Sequence, residues 1–161
     1  MIEPLPPADI PRAVALIRAS FITVADELGL TAQNCPTHTA FSVSEEKLRR
    51  AIGKGTLPFG LYEGGLLVGY VALTKSGRRA YKLDHLAVLP EYRHRGYGRQ
   101  LLDFCKGKAK ALKAKKLTLG MIDENTKLKD WYAANGFVHT GTKKIEGLPF
   151  TPGYMEYIIH K

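Results

Sequence analysis

Near the N-terminus apolar residues recur at helical spacing. Ile10, Val14, Ile17 and Phe21 fall three or four positions apart. The spacing predicts a helix over Ala8 to Ser20, with Pro11 in its first turn, where a missing N–H breaks no bond. Ile2 to Pro4 reads as a short first strand. From Thr31 to Ser42 the period is lost. Asn34-Cys35-Pro36-Thr37-His38 lies inside this stretch, which reads as a loop. Ser44 then offers a hydroxyl as N-cap for a second helix, Glu45 to Ile52. Glu45 and Glu46 sit at its positive end, and Gly53 and Gly55 end it.

The middle of the chain changes period. Phe59 to Glu63 and Leu66 to Thr74 flank Gly64-Gly65, and paired glycines supply the positive φ of a tight hairpin. Ser76-Gly77 makes a second turn before a strand over Tyr81 to Leu89. Three consecutive antiparallel strands are therefore expected. Helical spacing then returns, with Leu101, Leu102, Phe104, Cys105, Ala109 and Leu112 on one stripe. Leu117 to Ile122 is short and β-like. Leu128, Trp131 and Tyr132 mark a short helix that Gly136 stops. Phe137 to Thr142 and Tyr154 to Ile159 are final strands around a Gly147 to Gly153 loop. This order predicts an α+β fold in a single domain, 1–161. Its sheet is mixed and mostly antiparallel, with about six to seven strands, helices on both faces and one β-α-β crossover.

Bulk properties narrow the classes. A length of 161 residues suits one core. No apolar run approaches the ~20 residues of a membrane span. Met1-Ile2-Glu3-Pro4 lacks the basic start and apolar stretch of a signal peptide, which points to a cytoplasmic protein. Cys35 and Cys105 stand far apart and neither belongs to a C-x-x-C pair, so free thiols are expected and no metal site. Charge adds more. Lys and Arg number 24 against 15 Asp and Glu, a net +9 that suits an anionic partner. Lys106, Lys108, Lys110, Lys113, Lys115 and Lys116 hold much of the excess. They form a solvated helix face, or some of them meet a phosphate.

One segment carries chemistry. Leu86-Ala87-Val88-Leu89 ends a strand, Pro90 cannot continue the ladder, and Gly96 and Gly98 stand where the next helix starts. Free backbone N–H groups and the helix dipole make such a start an anion site, and glycines let the anion approach closely. Arg93, Arg95 and Arg99 add positive charge. Every part suits a diphosphate, although a ligand-free strand-to-helix turn has the same spacing. Gly53-Lys54-Gly55 lacks the Gly-x-x-x-x-Gly-Lys-Ser/Thr pattern of a P-loop. A dinucleotide fingerprint fails as well, because Leu101 occupies the third glycine position.

The segment closely resembles the cofactor motif of the GNAT superfamily of N-acetyltransferases. That family's V-x-P-x-(Y/W)-R-x-(R/K)-G-(I/V/Y)-G-x-x-L pattern stands here, without a gap, as Val88, Pro90, Tyr92, Arg93, Arg95, Gly96, Tyr97, Gly98 and Leu101. A second region, Asn125 to Tyr132 followed by Asn135-Gly136-Phe137, resembles the family's later motif. The resemblance covers most of the chain, but Thr31 to Ser42 and Lys143 to Gly153 carry no general family pattern. It implies acetyl-CoA as cofactor. The binding set it implies is Leu86, Ala87, Val88, Arg93, His94, Arg95, Gly96, Tyr97, Gly98 and Arg99, with Asn125 on the pantetheine arm.

The implied reaction moves acetyl from a thioester to an amine. By resemblance, the Val88 N–H stabilises the carbonyl oxygen as charge builds on it. Tyr132 is the implied acid for the leaving thiolate; its other reading is a packed aromatic beside Trp131. The amine needs a base, because an alkylammonium has a pKa near 10. Asp84 and His85 just precede the motif, and strand alternation lets at most one of them face a cleft. Asp84 has the family's even spacing from Val88; its other reading is an ion pair with Lys82 or Arg79. His85 reads more simply as a packed histidine. Asp123 and Glu124 are reserve bases, and His38 is a further candidate in its loop. Phe150, Thr151 and Tyr154 are candidates for the opposite wall.

Three functions compete. The leading one is an acetyl-CoA-dependent N-acetyltransferase whose acceptor is a small-molecule or peptide amine. Its rival is a non-catalytic acyl-CoA-binding sensor module of the same fold. A nucleic-acid partner is not expected, because the lysines gather after the cofactor helix, where they suit the adenosine 3′-phosphate or solvent. No membrane partner is expected, and the resemblance leaves a homodimer open.

Overall fold

Gly64 and Gly65 take φ of 58° and 82°, and the hairpin they were expected to turn forms between β2 (Leu57–Glu63) and β3 (Leu66–Gly77). The structure, a computed structural model, describes residues 1–160. β3 pairs antiparallel with β4 (Ala80–Val88). β1 (Ile2–Pro4) covers the outer edge of β2. Beyond them lie β5 (Lys116–Ile122), β6 (Val138–Thr142) and β7 (Pro152–Ile158). The sheet has seven strands in the order β1-β2-β3-β4-β5-β7-β6. Every pairing is antiparallel except that of β4 with β5, which the crossover helix α4 (Tyr97–Ala111) joins.

Helices cover both faces. Leu101, Leu102, Cys105 and Ala109 of α4 pack on Val68, Val71, Leu73, Leu83 and Leu117. On the other face, α1 (Ile10–Glu27) and α3 (Glu45–Gly53) bury Ile10, Val14, Ile17 and Leu48 against Leu67, Tyr70, Ala72 and Ala87. Ser44 caps α3 as expected, accepting from the Lys47 N–H at 3.1 Å. α5 (Thr126–Ala134) and Phe137 close the α4 side.

Two stretches depart from the sequence reading. α1 runs on to Glu27 and not Ser20, because Phe21 and the fully buried Ala25 extend its apolar stripe over a small third cluster with Leu30, Cys35 and Ala40. The loop from Thr31 to Ser42 holds a short helix, α2 (Thr39–Ser42). Thr31 and Asn34 exchange side-chain hydrogen bonds at 2.7 and 3.1 Å, and burial of Cys35 and Ala40 pins the rest.

A third departure decides the geometry of the site. Tyr70 pairs with Ala87, but Ala72 pairs with Asp84, so two steps on β3 meet three on β4. The extra residue is a β-bulge, and His85 sits in it with φ of 53°. The bulge breaks the simple alternation. Asp84 and Ala87 face α1 and α3, while Leu83, Leu86 and Val88 pack toward α4.

Candidate active site

β4 and β5 pair only over Ala80–Lys82 and Lys116–Thr118. Beyond, β5 stays with β7 as far as Ile122, and β4 stays with β3 as far as Val88. The two parallel strands part like the arms of a fork. Each arm keeps its outer partner, so the opening frees only the inner backbone edges. The Leu89 N–H donates to the Val68 carbonyl at 2.9 Å across β3. Successive N–H groups of a strand point to opposite edges, so the Val88 N–H points into the fork. A cleft of about 410 Å³ occupies the opening. Leu86, Leu119, Met121 and Leu128 give it apolar walls, and Asn125 and Tyr132 stand at its α5 side.

The turn after β4 gathers backbone donors. His94 and Gly96 take φ of 63° and 82°. Among the described residues, the N–H groups of His94, Arg95 and Gly96 have no backbone acceptor. Those of Tyr97, Gly98 and Arg99 open α4 and have no turn before them to bond. Gln100 donates to the Gly96 carbonyl at 3.0 Å and starts the helical ladder. Six N–H groups thus crowd one helix start, where the dipole adds positive potential. Gly98 has ordinary helical φ, and a Cβ there would meet Trp131 no closer than 3.6 Å. The packing does not demand glycine at 98; an anion seated on the backbone would. The turn fits the diphosphate of CoA.

The side chains of that turn are otherwise engaged. Arg93 donates to the Ser20 carbonyl at 3.0 Å and its hydroxyl at 3.2 Å. Its guanidinium ties the turn to α1 and adds no free charge at the anion site. Arg95 lies over the Tyr92 ring, 4.8 Å from its centre. Arg99 faces Asp103 at 3.8 Å, and the Tyr97 hydroxyl bonds Glu63. The Leu86 side chain lines the cleft, and the Ala87 side chain turns away toward α1. The lysine run does not reach this turn. α4 is 15 residues long, about 22 Å at 1.5 Å per residue. Lys108 and Lys110 lie in its last turn, and Lys113, Lys115 and Lys116 follow it. They are at the wrong pole for a cofactor phosphate, and Lys116 pairs with Glu156 at 3.2 Å.

Tyr132 is 6% exposed. Its ring packs edge-on against Trp131 and Phe137, at 5.1 and 5.4 Å. Among the described residues its hydroxyl has no hydrogen-bond partner. Burial raises its pKa well above the ordinary tyrosine value, so the hydroxyl keeps its proton across the neutral range. Asn125 caps α5, accepting from the Leu128 N–H at 3.2 Å. That bond fixes the amide at the mouth of the cleft.

Asp84 and His85 both line the cleft, contrary to strict alternation. The bulge allows it. The Asp84 carboxylate accepts from the Thr74 hydroxyl at 2.7 Å, which lies 3.0 Å from that of Thr56, and its other oxygen is 3.4 Å from Lys82 Nζ. The expected ion pair with Lys82 is therefore present, and Arg79 takes no part in it. A second cavity of about 250 Å³ reaches Asp84 and His85 from the α3 side. Burial holds the His85 imidazole below its ordinary pKa, opposed by the neighbouring Asp84. The reserve bases are occupied. Asp123 holds His139 at 2.8 Å and Lys129 at 3.0 Å, and Glu124 accepts twice from the Thr151 N–H. Glu124 thereby fastens the loop before β7, and Phe150 in that loop and Tyr154 in β7 wall the cleft. Sequence reasoning missed Phe21 and Val24, on the part of α1 beyond its expected end, and missed Thr74 as the partner of Asp84. A diagonal across the β3–β4 register was its signal.

Alkali should unfold the protein from inside the α4 layer. Burial pushes the Cys105 thiol from 9.0 up to about 12. Its contribution to stability is complete below pH 9 and is lost as pH rises toward 12. The loss is about 1.4 kcal/mol per pH unit from this group. Tyr70 and Tyr132, also raised by burial, add to it above pH 10. Urea denaturation at about pH 8 and about pH 11 checks this; equal midpoints would contradict it.

Comparison with known proteins adds family to geometry. A family model described as an acetyltransferase (GNAT) domain matches residues 27–157, which hold both arms of the fork, the turn and α5. The chain belongs to the GNAT acetyltransferase family. It is an acyltransferase, and acetyl-CoA is its donor. An uncharacterized N-acetyltransferase of Lactobacillus delbrueckii subsp. lactis is 27% identical over 140 residues, covering 80% of this chain and 78% of that one. A ribosomal-protein alanine N-acetyltransferase from Escherichia coli superposes with a TM-score of 0.80 at 19% identity, covering 100% of this chain and 94% of its own. The PaiA N-acetyltransferase of Thermoplasma acidophilum, solved with coenzyme A, has a TM-score of 0.80 at 21% identity, with 98% of each chain covered. At such identities the two solved structures speak for the fold. No helix among the described residues is long and apolar enough to cross a membrane.

Proposed function

We propose that this GNAT acetyltransferase moves acetyl directly from acetyl-CoA to a primary amine, with both substrates in the fork at once. The observation that carries the proposal is the parting of β4 from β5 beyond Lys82 and Thr118, which leaves the inner edge of β4, on which alternation puts the Val88 N–H, without a β5 partner. The thioester carbonyl sits against it, and the diphosphate sits on the donors of His94 to Arg99. The amine nitrogen attacks the carbonyl carbon, and charge builds on the oxygen facing Val88. The carbon–sulfur bond then breaks, and the thiolate takes the Tyr132 proton. The proton lost by the amine goes to Asp84, whose carboxylate Thr74 orients. Solvent re-protonates Tyr132.

His85 is a second reading for the base. It lines the same cleft, and burial keeps it neutral. Two variants separate the readings, with free thiol as the readout. Asp84→Asn is expected to lower kcat/KM by about a hundredfold or more, and His85→Asn, which suits the left-handed backbone, by less than about tenfold. The reverse ranking would transfer the role to His85. A broad panel of primary amines that released no thiol, with acetyl-CoA bound, would overturn the transfer reading.

A further inference from the structure

The chemistry above leaves His38 unused, yet its imidazole is 7% exposed and lines the cleft. His38 Nδ1 accepts the Ala40 N–H at 3.1 Å and caps α2. An amide N–H donates only into a lone pair, so Nδ1 is bare and the ring proton is on Nε2. Burial lowers the pKa of the ring and keeps a second proton off. His38 therefore cannot accept a proton from the amine, because its one lone pair is engaged. What it offers is a donor.

That donor is unfilled. Nε2 has no partner among the described residues. No unpartnered side-chain nitrogen or oxygen among them is sealed from solvent, so solvent reaches Nε2, and the ring that carries it lines the cleft. Phe41 and Phe21 hold the ring at 5.9 and 6.3 Å. Phe21 also stands edge-on to His85 at 6.1 Å, which sets the donor and the amine end of the cleft on either side of one aromatic ring. Phe21, Phe41 and Phe150 make the wall around the ring largely apolar, so an acceptor oxygen of a ligand in the cleft can take the Nε2–H in place of water.

We propose that the His38 Nε2–H donates a hydrogen bond to an oxygen of the acceptor, so that the preferred substrate is a primary amine that also carries a carbonyl or hydroxyl oxygen. This rests on the N-acetyltransferase reading above. α-Amino amides and peptide N-termini have such an oxygen. Plain alkylamines and polyamines lack it and leave the donor to water.

The test uses phenylalanine amide and phenethylamine, which differ by one carboxamide. The wild-type enzyme is expected to favour the amide in kcat/KM, and by about tenfold more than a variant that lacks the Nε2–H, the effect of one hydrogen bond. In His38→Asn the side-chain oxygen keeps the cap while the amide nitrogen falls short of the Nε2 position, and the ratio falls by about tenfold, the difference in amine basicity being common to both enzymes. Nitrogen NMR of the wild-type imidazole is expected to report the Nε2–H tautomer and needs no variant. An Nδ1–H tautomer, no wild-type preference, or an unchanged ratio in His38→Asn would each overturn the proposal. Turnover with unchanged preference sinks this inference alone, whereas no turnover with any amine sinks the transfer reading beneath it.

Discussion

Gly98→Glu is expected to weaken CoA binding by about a hundredfold or more while the melting temperature holds or rises. The two effects have opposite signs because they have different causes. Position 98 is an ordinary helical residue in the first turn of α4, where a side chain meets Trp131 only at contact distance. Replacing glycine inside a helix gains up to about 1 kcal/mol, and a carboxylate near the helix start suits the dipole. In the binding mode proposed above, the same carboxylate would stand in the place of the diphosphate. Two like charges about 4 Å apart repel by about 4 kcal/mol at a surface dielectric, and a hundredfold loss needs only about 2.8 kcal/mol. Calorimetric titration with CoA, beside a thermal melt, reads both effects. Unchanged affinity would move the diphosphate away from the turn.

Tyr132→Phe should lower kcat by about a hundredfold to a thousandfold and leave the KM for acetyl-CoA within about twofold. The range is that of a positioned proton donor. The ring keeps its packing on Trp131 and Phe137, and among the described residues its hydroxyl bonds nothing, so stability should change by less than about 0.5 kcal/mol. Steady-state thiol release measures the loss. A thioester donor with a more acidic thiol should shrink it, because that leaving group needs less help. An unchanged kcat with a raised KM would make Tyr132 a wall of the cleft.

What could be read from the sequence was local. The turn from Leu89 to Gly98 is legible because its glycines, proline and spacing are demands on a short piece of backbone. The hairpins and α4 are legible because their periods are long. The rest depends on contacts between distant residues. Arg93 looks like a free charge until Ser20, 73 positions away, takes its guanidinium. The four residues of α2 have no period of their own; the His38 cap and the burial of Ala40 hold them. The bulge at His85 is a mismatch of register between two strands, and no pattern within β4 reveals it. That mismatch places both Asp84 and His85 on the cleft.

Direct transfer in the fork has a kinetic signature. Both cysteines are buried, and burial holds the Cys105 thiol up at about 12, so neither is placed to carry an acetyl-enzyme. Initial rates measured while acetyl-CoA and phenylalanine amide both vary read that signature. Intersecting double-reciprocal lines are predicted, because both substrates must be bound before either product leaves. Parallel lines, with labelled acetyl left on the protein in the absence of amine, would contradict it.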